Sequence, residues 1–246
     1  MTFPPPGPAA RPLAGTTAVV AGASRGIGLA VADALGAAGA HVTRLARTLA
    51  DGERNGGADL RCDLTDPADV ARAASRVLDG RGAPDLLVNA AGVFLVAPLA
   101  ETSPEAFGAQ LAGNLVAPFL VVRAFLPAMR ARGRGTIVTI GSVADHQAFT
   151  GNAAYGAAKS GLRGLHEVLR RELGGTGVRA TLLSPGPVDT TLWDPVDPDA
   201  RPGFTRRAQM LKADDVAAAV LFVATRRDGV AIPELRIVPE PWAPRP

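Results

Sequence analysis

The sequence predicts an α/β fold: a single-domain, doubly wound parallel sheet of about seven strands with helices on both faces. Three observations predict it. Short apolar runs that fit buried strands alternate with longer segments of helical periodicity. A glycine-rich turn stands between the first apolar run and the first helical segment. The 246 residues, 47% of them hydrophobic, are sufficient for one substantial core.

Strands and helices are predicted in alternation along the chain. The strands are predicted at 17–21, 41–45, 59–61, 85–89, 136–140, 179–183 and 234–238. The helices are predicted at 26–38, 67–79, 104–112, 115–131, 154–173 and 213–224. Asp66 and Ser103 each precede a proline, which is typical of an N-cap followed by the first helical turn. The polar, glycine-rich stretch 47–58 is too short for a crossover helix, so we expect a loop or a single turn there.

The domain organisation follows from the same pattern. We expect one dinucleotide-binding and catalytic domain at 13–239, a disordered proline-rich tail at 1–12 and a C-terminal tail at 240–246. The segment 187–212 is rich in Pro and Asp and lacks a period. Because it follows the carboxyl end of a strand, where doubly wound sheets bind ligands, we predict that it is a substrate lid.

Composition excludes several classes of function. The net charge is +3 and the basic residues are scattered, so nucleic acid is not an expected partner. Cys62 is the single cysteine and is predicted to be a buried core residue, and the three histidines lack ligand spacing, so no metal is expected. A secretory signal and an uncharged apolar run of about 18 residues are both lacking. We therefore expect a cytoplasmic protein without a membrane partner.

The glycine-rich turn has the spacing Gly-x-x-x-Gly-x-Gly. Glycines there allow a tight turn and let the backbone approach a pyrophosphate, while the helix N-terminus supplies amide groups. The candidate cofactor-binding residues in it are Gly22, Ser24, Arg25, Gly26, Ile27 and Gly28. A glycine turn before a helix can also serve packing alone, so this motif by itself leaves cofactor binding open.

Several motifs in register resemble the short-chain dehydrogenase/reductase family, ketoreductase-like members included. They are residues 18–28, Asn89-Ala90-Ala91-Gly92, Asn114, Ser142, Tyr155-x-x-x-Lys159 and Pro185-Gly186. The resemblance extends from about residue 13 to residue 238. It implies a Rossmann fold and hydride transfer between a nicotinamide and a carbonyl or alcohol. Two positions depart from the family pattern: Ala21 stands where threonine is frequent, and Ala90 where a second asparagine is usual.

Tyr155 and Lys159 are the predicted catalytic pair. Four residues apart in a helical segment, they share a face of the helix. A tyrosine with an ordinary pKa near 10 needs neighbouring positive charge to act as an acid or base near neutrality, and a lysine supplies it. The resemblance adds Ser142 as a hydrogen-bond donor to the substrate oxygen, and Asn114 as the holder of a water in a proton relay. Taken singly, each has an ordinary structural explanation: a surface pair, a turn serine and a helix cap.

The cofactor preference is inferred from the end of the second strand. Ala46 and Arg47 stand where an acidic residue would bind a ribose, and Arg25 lies in the glycine turn. Two guanidinium groups converging on a 2′-phosphate favour NADP(H) over NAD(H), although Arg47 could also simply begin a solvated loop. The resemblance adds further cofactor-binding residues, with Tyr155 and Lys159: Asp63, Leu64, Asn89, Ala90, Ala91, Gly92, Pro185, Gly186, Val188 and Thr190.

The candidate substrate residues flank these groups and are mostly apolar. They are Phe94, Ser142, His146, Gln147, Pro187 and Trp193. We therefore expect a small-molecule substrate, a hydrophobic ketone, that is reduced to the alcohol. The alternatives are an alcohol-oxidising biosynthetic dehydrogenase and a non-catalytic dinucleotide-binding sensor or scaffold. A homodimer through the helices near 115–131 and 154–173, or a homotetramer, is the expected assembly.

Overall fold

An eight-stranded sheet is the core of the fold, as seen in a computed structural model that describes residues 11–54 and 56–242. Most of the two predicted tails, residues 1–10 and 243–246, lies outside the described residues. The strands are β1 (Thr17–Ala21), β2 (His41–Ala46), β3 (Gly52–Arg54), β4 (Gly57–Arg61), β5 (Leu86–Asn89), β6 (Gly135–Ile140), β7 (Val178–Pro185) and β8 (Glu234–Ile237). The helices are α1 (Gly26–Ala37), α2 (Pro67–Arg81), α3 (Pro104–Leu111), α4 (Ala117–Arg132), α5 (Ala153–Glu172) and α6 (Ala213–Ala224).

The strand order is β3-β4-β2-β1-β5-β6-β7-β8, and every pairing except β3 with β4 is parallel. The strands run outward from β1 as β2, β4 and β3, and from β5 as β6, β7 and β8. The carboxyl ends of the parallel strands therefore meet at one edge, and a crevice opens where the winding reverses, between β1 and β5. This confirms the predicted doubly wound fold.

The stretch 47–58 contains a strand, so the expectation of a loop or a single turn was wrong. Residues 52–54 pair antiparallel with β4, with Glu53 opposite Ala58. Because β4 would otherwise end the sheet with unpaired backbone groups, a short segment can add to it as a hairpin. The Arg54 guanidinium bonds Asp33 of α1 at 2.7 Å and anchors this edge strand.

Side chains that alternate along each strand build two cores, one on each face of the sheet. Val19, Phe125 and Met129 belong to the core beneath α2, α4 and α5. Val20 and Val220 belong to the core beneath α1 and α6. This arrangement confirms the prediction of helices on both faces, since alternate strand residues must be covered on opposite sides.

Cys62 is fully buried in the first of these cores, as predicted. Burial, with the nearby Asp69 carboxylate, raises the pKa of its thiol to about 11. The thiol is therefore protonated and unreactive at neutral pH, which is consistent with a core residue.

The helical run 104–132 is long and apolar enough to cross a membrane by length and composition, with a mean hydropathy of 1.6 over an 18-residue window. In the fold it lies against the sheet, and Phe125 and Met129 are fully buried there. Val116 and Phe119 are instead exposed to solvent. The apolar residues of this run are thus divided between the core and an outer face.

Candidate active site

The glycine turn between β1 and α1 leaves room only for backbone. Gly22 has a φ of +83°, and a Cβ atom there would lie 2.5 Å from the Ala91 nitrogen. A Cβ atom on Gly28 would lie 2.2 Å from the Gly22 carbonyl oxygen. The turn can therefore bend tightly against the end of β5 only if both positions are glycine. Such a cradle fits the pyrophosphate of a dinucleotide.

The N-terminus of α1 is free of any competing side chain. Its N-cap, Arg25, makes no side-chain cap hydrogen bond, and the first turn holds no acidic residue. The first backbone N–H groups of the helix therefore point, with the positive end of the helix dipole, toward the crevice. An anionic group is the ligand that such a helix end favours.

Asn89, at the end of β5, is a buried polar side chain without a partner. It is 2% exposed, and both atoms of its amide lack a hydrogen bond among the described residues. Buried polar groups are normally hydrogen-bonded, so an orphaned amide beside the glycine turn indicates a place for a polar ligand. Asn89 and the glycine turn together fit a nicotinamide dinucleotide.

The segment after β7 reaches over the same crevice. The Thr190 side chain lies 3.4 Å from where a Cβ atom of Gly26 would be. Gly186 donates its N–H to the Ile237 carbonyl at 2.8 Å, so β8 holds the start of this segment. The structure thus brings together the predicted cofactor residues of the glycine turn and of 185–190.

Lys159 lies on the inner face of α5, one turn from Tyr155. It is 4% exposed, its Nζ atom donates to the Ile140 carbonyl at 3.0 Å, and it lies 5.7 Å from the centre of the Tyr155 ring. The end of β6 therefore holds the ammonium group close to the phenol. The predicted i, i+4 pair is an inward-facing pair and not a surface pair.

Burial moves the pKa values of the two groups in opposite directions. It lowers the pKa of Lys159 to about 8, against a smaller opposing effect of the Asp145 carboxylate. It raises the pKa of Tyr155 to about 12. A hydrogen bond with Ser142 opposes this increase, and the Asp145 charge adds to it. Without a ligand, the site therefore holds a neutral phenol over the whole neutral range.

Ser142 begins a short 3₁₀ turn, Val143–Asp145, directly after β6. Its Oγ atom accepts the Ala144 N–H at 3.1 Å, and its own N–H donates to the Asp145 carboxylate at 3.2 Å. These two bonds form a capping box. The serine hydroxyl hydrogen remains available to donate toward Tyr155 or a substrate oxygen.

Asn114 lies in a π-helical segment, Ala112–Val116, between α3 and α4. It is fully buried, its Nδ2 donates to the Val93 carbonyl at 2.9 Å, and its Oδ1 accepts the Val93 N–H at 3.2 Å. Its amide therefore braces the chain that leaves β5. The role expected for it in holding a water stays a prediction, and π-helical turns are frequent at functional sites.

Three aromatic side chains follow one another outward from Tyr155. The Phe94 ring lies edge-on to Tyr155 with 4.9 Å between centroids, and Trp193 lies 4.8 Å from Phe94. Phe204 packs against Trp193 at 6.2 Å. Trp193 and Phe204 both come from 187–212, so this segment extends the apolar surface that begins with Phe94.

Arg207 links several parts of the segment 187–212. Its guanidinium donates to Asp189 at 3.0 Å, to Asp194 at 2.6 Å and to the Thr190 carbonyl at 3.2 Å. Val196 and Met210 are buried within the segment. The arginine therefore neutralises two of the aspartates that make this stretch look irregular in sequence.

His146 and Gln147 lie on a different side of the Ser142 turn. The His146 Nε2 atom is 2.6 Å from Glu234 Oε1 at the start of β8. Both residues line a cavity of about 280 Å³ beside α5. Neither Tyr155 nor Ser142 lines this cavity, so the substrate contact expected for His146 and Gln147 stays a prediction.

Arg47 and Arg25 are exposed cations at the carboxyl edge near β2. The Arg47 side chain is 75% exposed, and its nearest acidic partner, Asp63, is 3.9 Å away. Arg25 is also exposed. Arg44, by contrast, makes two hydrogen bonds to Asp59 of β4, so its guanidinium group is already paired within the sheet. Arg47 and Arg25 are therefore available to an anionic ligand.

Comparison with known proteins decides the family. The sequence profile described as short chain dehydrogenase matches residues 16–201. The chain is a short-chain dehydrogenase/reductase. The match includes the glycine turn, Asn114, Ser142 and the Tyr155–Lys159 pair.

Relatives of this short-chain dehydrogenase/reductase are similar over most of their length. It is 37% identical to D-threitol dehydrogenase of Mycolicibacterium smegmatis over 226 residues, covering 87% of each chain. It is 33% identical to the 3-oxoacyl-acyl-carrier-protein reductase FabG of Escherichia coli, covering 86% of this chain and 90% of the relative. The crystal structure of a metagenomic short-chain oxidoreductase in complex with NADP is 36% identical, with a TM-score of 0.77, covering 93% of this chain and 98% of the other.

Three residues of this short-chain dehydrogenase/reductase were missed by sequence reasoning: Asp145, Phe204 and Arg207. Ser142-x-x-Asp145 has the spacing of a capping box, and this signal could have identified Asp145. Phe204 and Arg207 carry no local signal, because their partners lie elsewhere in an aperiodic segment. Among the described residues, no group of three His, Cys, Asp or Glu side chains could hold a metal ion.

Proposed function

We propose that this short-chain dehydrogenase/reductase is an NADP(H)-dependent oxidoreductase that reduces a hydrophobic ketone to a secondary alcohol, with Tyr155 as the general acid. The observation that carries the proposal is the phenol of Tyr155, with Lys159 one turn away and Phe94 edge-on at 4.9 Å. A proton donor next to a charged group and an apolar wall suits a carbonyl whose substituents are apolar.

The residues of the chain divide the work of the reaction. When bound, the reduced nicotinamide supplies the hydride. The Ser142 hydroxyl donates a hydrogen bond to the carbonyl oxygen as negative charge develops there. Tyr155 Oη gives its proton to that oxygen, which becomes the alcohol, and the ammonium group of Lys159 stabilises the phenolate left behind. Return of a proton from solvent restores the phenol.

The raised pKa of Tyr155 suits a group that donates a proton in ketone reduction. Burial raises that pKa to about 12, so the phenol, which is the form that protonates a carbonyl, is fully populated at neutral pH. Oxidation of an alcohol needs the phenolate, whose population rises with pH.

Oxidation of a polyol is a second candidate function, favoured by the 37% identity to D-threitol dehydrogenase. The aromatic wall of Phe94 and Trp193 argues against a substrate with many hydroxyl groups. A non-catalytic dinucleotide-binding role is less well supported, because such a role would not need the Ser142, Tyr155 and Lys159 arrangement.

A panel of ketones and alcohols, followed by absorbance of the reduced cofactor, tests the proposal. We expect turnover of aryl or long-chain alkyl ketones with NADPH. Polyols such as threitol with the oxidised cofactor should react slowly or not at all. Faster oxidation of threitol would favour the second candidate function, and no turnover of any compound would contradict the enzymatic proposal.

The preference for NADPH is proposed to depend on Arg47, supported by the 36% identity to a structure in complex with NADP. Arg47→Asp should weaken NADPH binding about 10–100-fold, because a hydrogen bond to a charged group contributes about 1.5–3 kcal/mol. NADH binding should change little or improve. Fluorescence titration of both cofactors with both proteins measures the change.

Arg134→Asp is the matched control for this substitution. The Arg134 side chain is 72% exposed, with its nearest acidic partner, Asp85, at 3.7 Å, and it precedes β6 at the opposite edge of the sheet. It carries the same change of charge but should leave both affinities unchanged. Equal loss of NADPH binding in the two variants would show that Arg47 acts only through the net charge of the protein.

We propose that the protein is a homodimer or homotetramer. Exposed apolar side chains lie on the two helical segments predicted to form the contact. They are Val116, directly before α4, Phe119 on α4 and Val168 on α5. Burial of such residues against another copy would stabilise an oligomer. The cytoplasmic location stays a prediction.

A further inference from the structure

Arg207 makes hydrogen bonds on both sides of a short 3₁₀ turn, Thr191–Trp193. Before the turn, its guanidinium donates to the Asp189 carboxylate at 3.0 Å and to the Thr190 carbonyl at 3.2 Å. After the turn, it donates to the Asp194 carboxylate at 2.6 Å. An arginine can hold several acceptors at once because its N–H groups form a rigid planar fork. Arg207 therefore holds the two ends of this turn together.

The backbone of Trp193, the last residue of the turn, is hydrogen-bonded on both sides. Its N–H donates at 3.1 Å to the Thr190 carbonyl, which also accepts from Arg207. Its carbonyl accepts the N–H groups of Val196 and Asp197, each at 3.0 Å. Asp197 has a φ of +48°, a left-handed conformation that is uncommon outside glycine. The position of the Trp193 ring therefore depends on the conformation of this turn.

The Trp193 ring lies between two other aromatic rings. It packs against Phe94 with 4.8 Å between centroids and against Phe204 with 6.2 Å. Phe94 in turn lies edge-on to Tyr155 at 4.9 Å. Phe204 stands three residues before Arg207, so the same guanidinium connects the chain on both sides of the Trp193 ring. Hydrogen bonds and ring contacts thus join Arg207 to the apolar surface that begins beside the phenol.

We propose that Arg207 is a positioning residue for substrate specificity, which holds Trp193 against Phe94 so that the two rings receive the larger apolar substituent of the ketone. The proposal rests on the proposed function, since that substituent belongs to the ketone. The side chains of Arg207, Asp189 and Asp194 are 27%, 28% and 60% exposed. Ion pairs this exposed contribute little to stability, so the convergence of their bonds on one turn points to its geometry.

The position of the Trp193 ring can be followed by its fluorescence. The chain has two tryptophans, and Trp242→Phe leaves Trp193 as the single indole. In that background, Arg207→Ala should move the emission to longer wavelength and increase quenching by acrylamide, because the ring loses its aromatic neighbours to water. Arg207→Lys should restore the emission in part, since lysine keeps the charge without the planar fork. This measurement requires neither a substrate nor turnover.

The effect on specificity is measured with ketones of different size. Arg207→Ala should raise KM for acetophenone about 10-fold or more, as expected for a lost apolar contact, and leave KM for acetone nearly unchanged. The kcat for both ketones should change little, because the groups that transfer the proton are intact. Asp189 keeps its bond to Lys212 at 3.0 Å in this variant. A loss of stability alone would not separate the two ketones.

Arg206→Ala is the matched control, because Arg206 is exposed, makes no side-chain cap bond and carries the same charge. It should change neither the emission nor KM. Asp194→Ala removes one acceptor of Arg207 and decides by the same two measurements if Arg207→Ala does not fold. Unchanged emission, or an equal rise of KM for both ketones, would overturn the proposal. If no ketone is turned over, the proposed function fails, while the emission still decides whether Arg207 positions Trp193.

Discussion

Tyr155→Phe should lower kcat for ketone reduction by about 10²–10⁴-fold and leave the Kd for NADPH nearly unchanged. The substitution removes the hydroxyl that is proposed to give its proton to the carbonyl oxygen. It keeps the ring, so the edge-on contact with Phe94 at 4.9 Å should persist. Steady-state kinetics and a fluorescence titration of NADPH measure the two quantities on the same preparation.

The size of the loss follows from the surroundings of the phenol. Lys159 is held by the Ile140 carbonyl at 3.0 Å, with its Nζ atom 5.7 Å from the centre of the ring. Ser142 can still stabilise developing charge, so a residual rate is expected. Ser160→Ala, an exposed position on the same helix, is the control and should retain full turnover. Substantial turnover by Tyr155→Phe would contradict the role of general acid.

Gly28→Ala should have the second large effect. A Cβ atom there would lie 2.2 Å from the Gly22 carbonyl oxygen and 3.0 Å from Ala23 Cα, and backbone atoms cannot yield as a flexible side chain can. Overpacking of this kind costs about 1–3 kcal/mol. We expect a lower free energy of unfolding by that amount and NADPH binding weakened about 10–100-fold, because the distorted turn is the proposed pyrophosphate site.

Gly36→Ala is a matched control in the same helix. Gly36 is exposed, and nothing lies within 4 Å of the Cβ atom that alanine would add. Alanine favours a helix over glycine by about 1 kcal/mol, so this variant should be slightly more stable. Thermal unfolding and NADPH titration of both variants make the comparison. Equal behaviour of the two would show that the close approach at Gly28 is unimportant.

Local pattern is sufficient for the parts of the fold that depend on one element at a time. Buried parallel strands are short apolar runs and helices have their own period, so the strand near residue 17 and the helix near residue 154 are visible in the sequence. The edge strand Gly52–Arg54 is not visible. Its residues have little strand propensity, and it forms because β4 offers an unpaired edge.

The candidate site likewise has residues that local sequence predicts and residues whose contacts it does not predict. The Tyr155–Lys159 pair and the glycine turn are local spacings, so the sequence is enough to predict their residues. It does not predict the direction of His146, because the partner Glu234 is 88 residues away. The contact of Trp193 with Phe204 and the bonds of Arg207 likewise depend on how 187–212 folds back.

The sequence by itself determined the doubly wound fold, the family and the residues proposed to bind cofactor and move a proton. These depend on spacings of a few residues, which helix and strand geometry convert directly into shared faces and tight turns. Tertiary structure alone decided that Asp145 accepts a hydrogen bond from Ser184 of β7, and that His146 turns toward β8. Those contacts join segments far apart in the chain, and no local periodicity encodes which of them meet when the sheet forms.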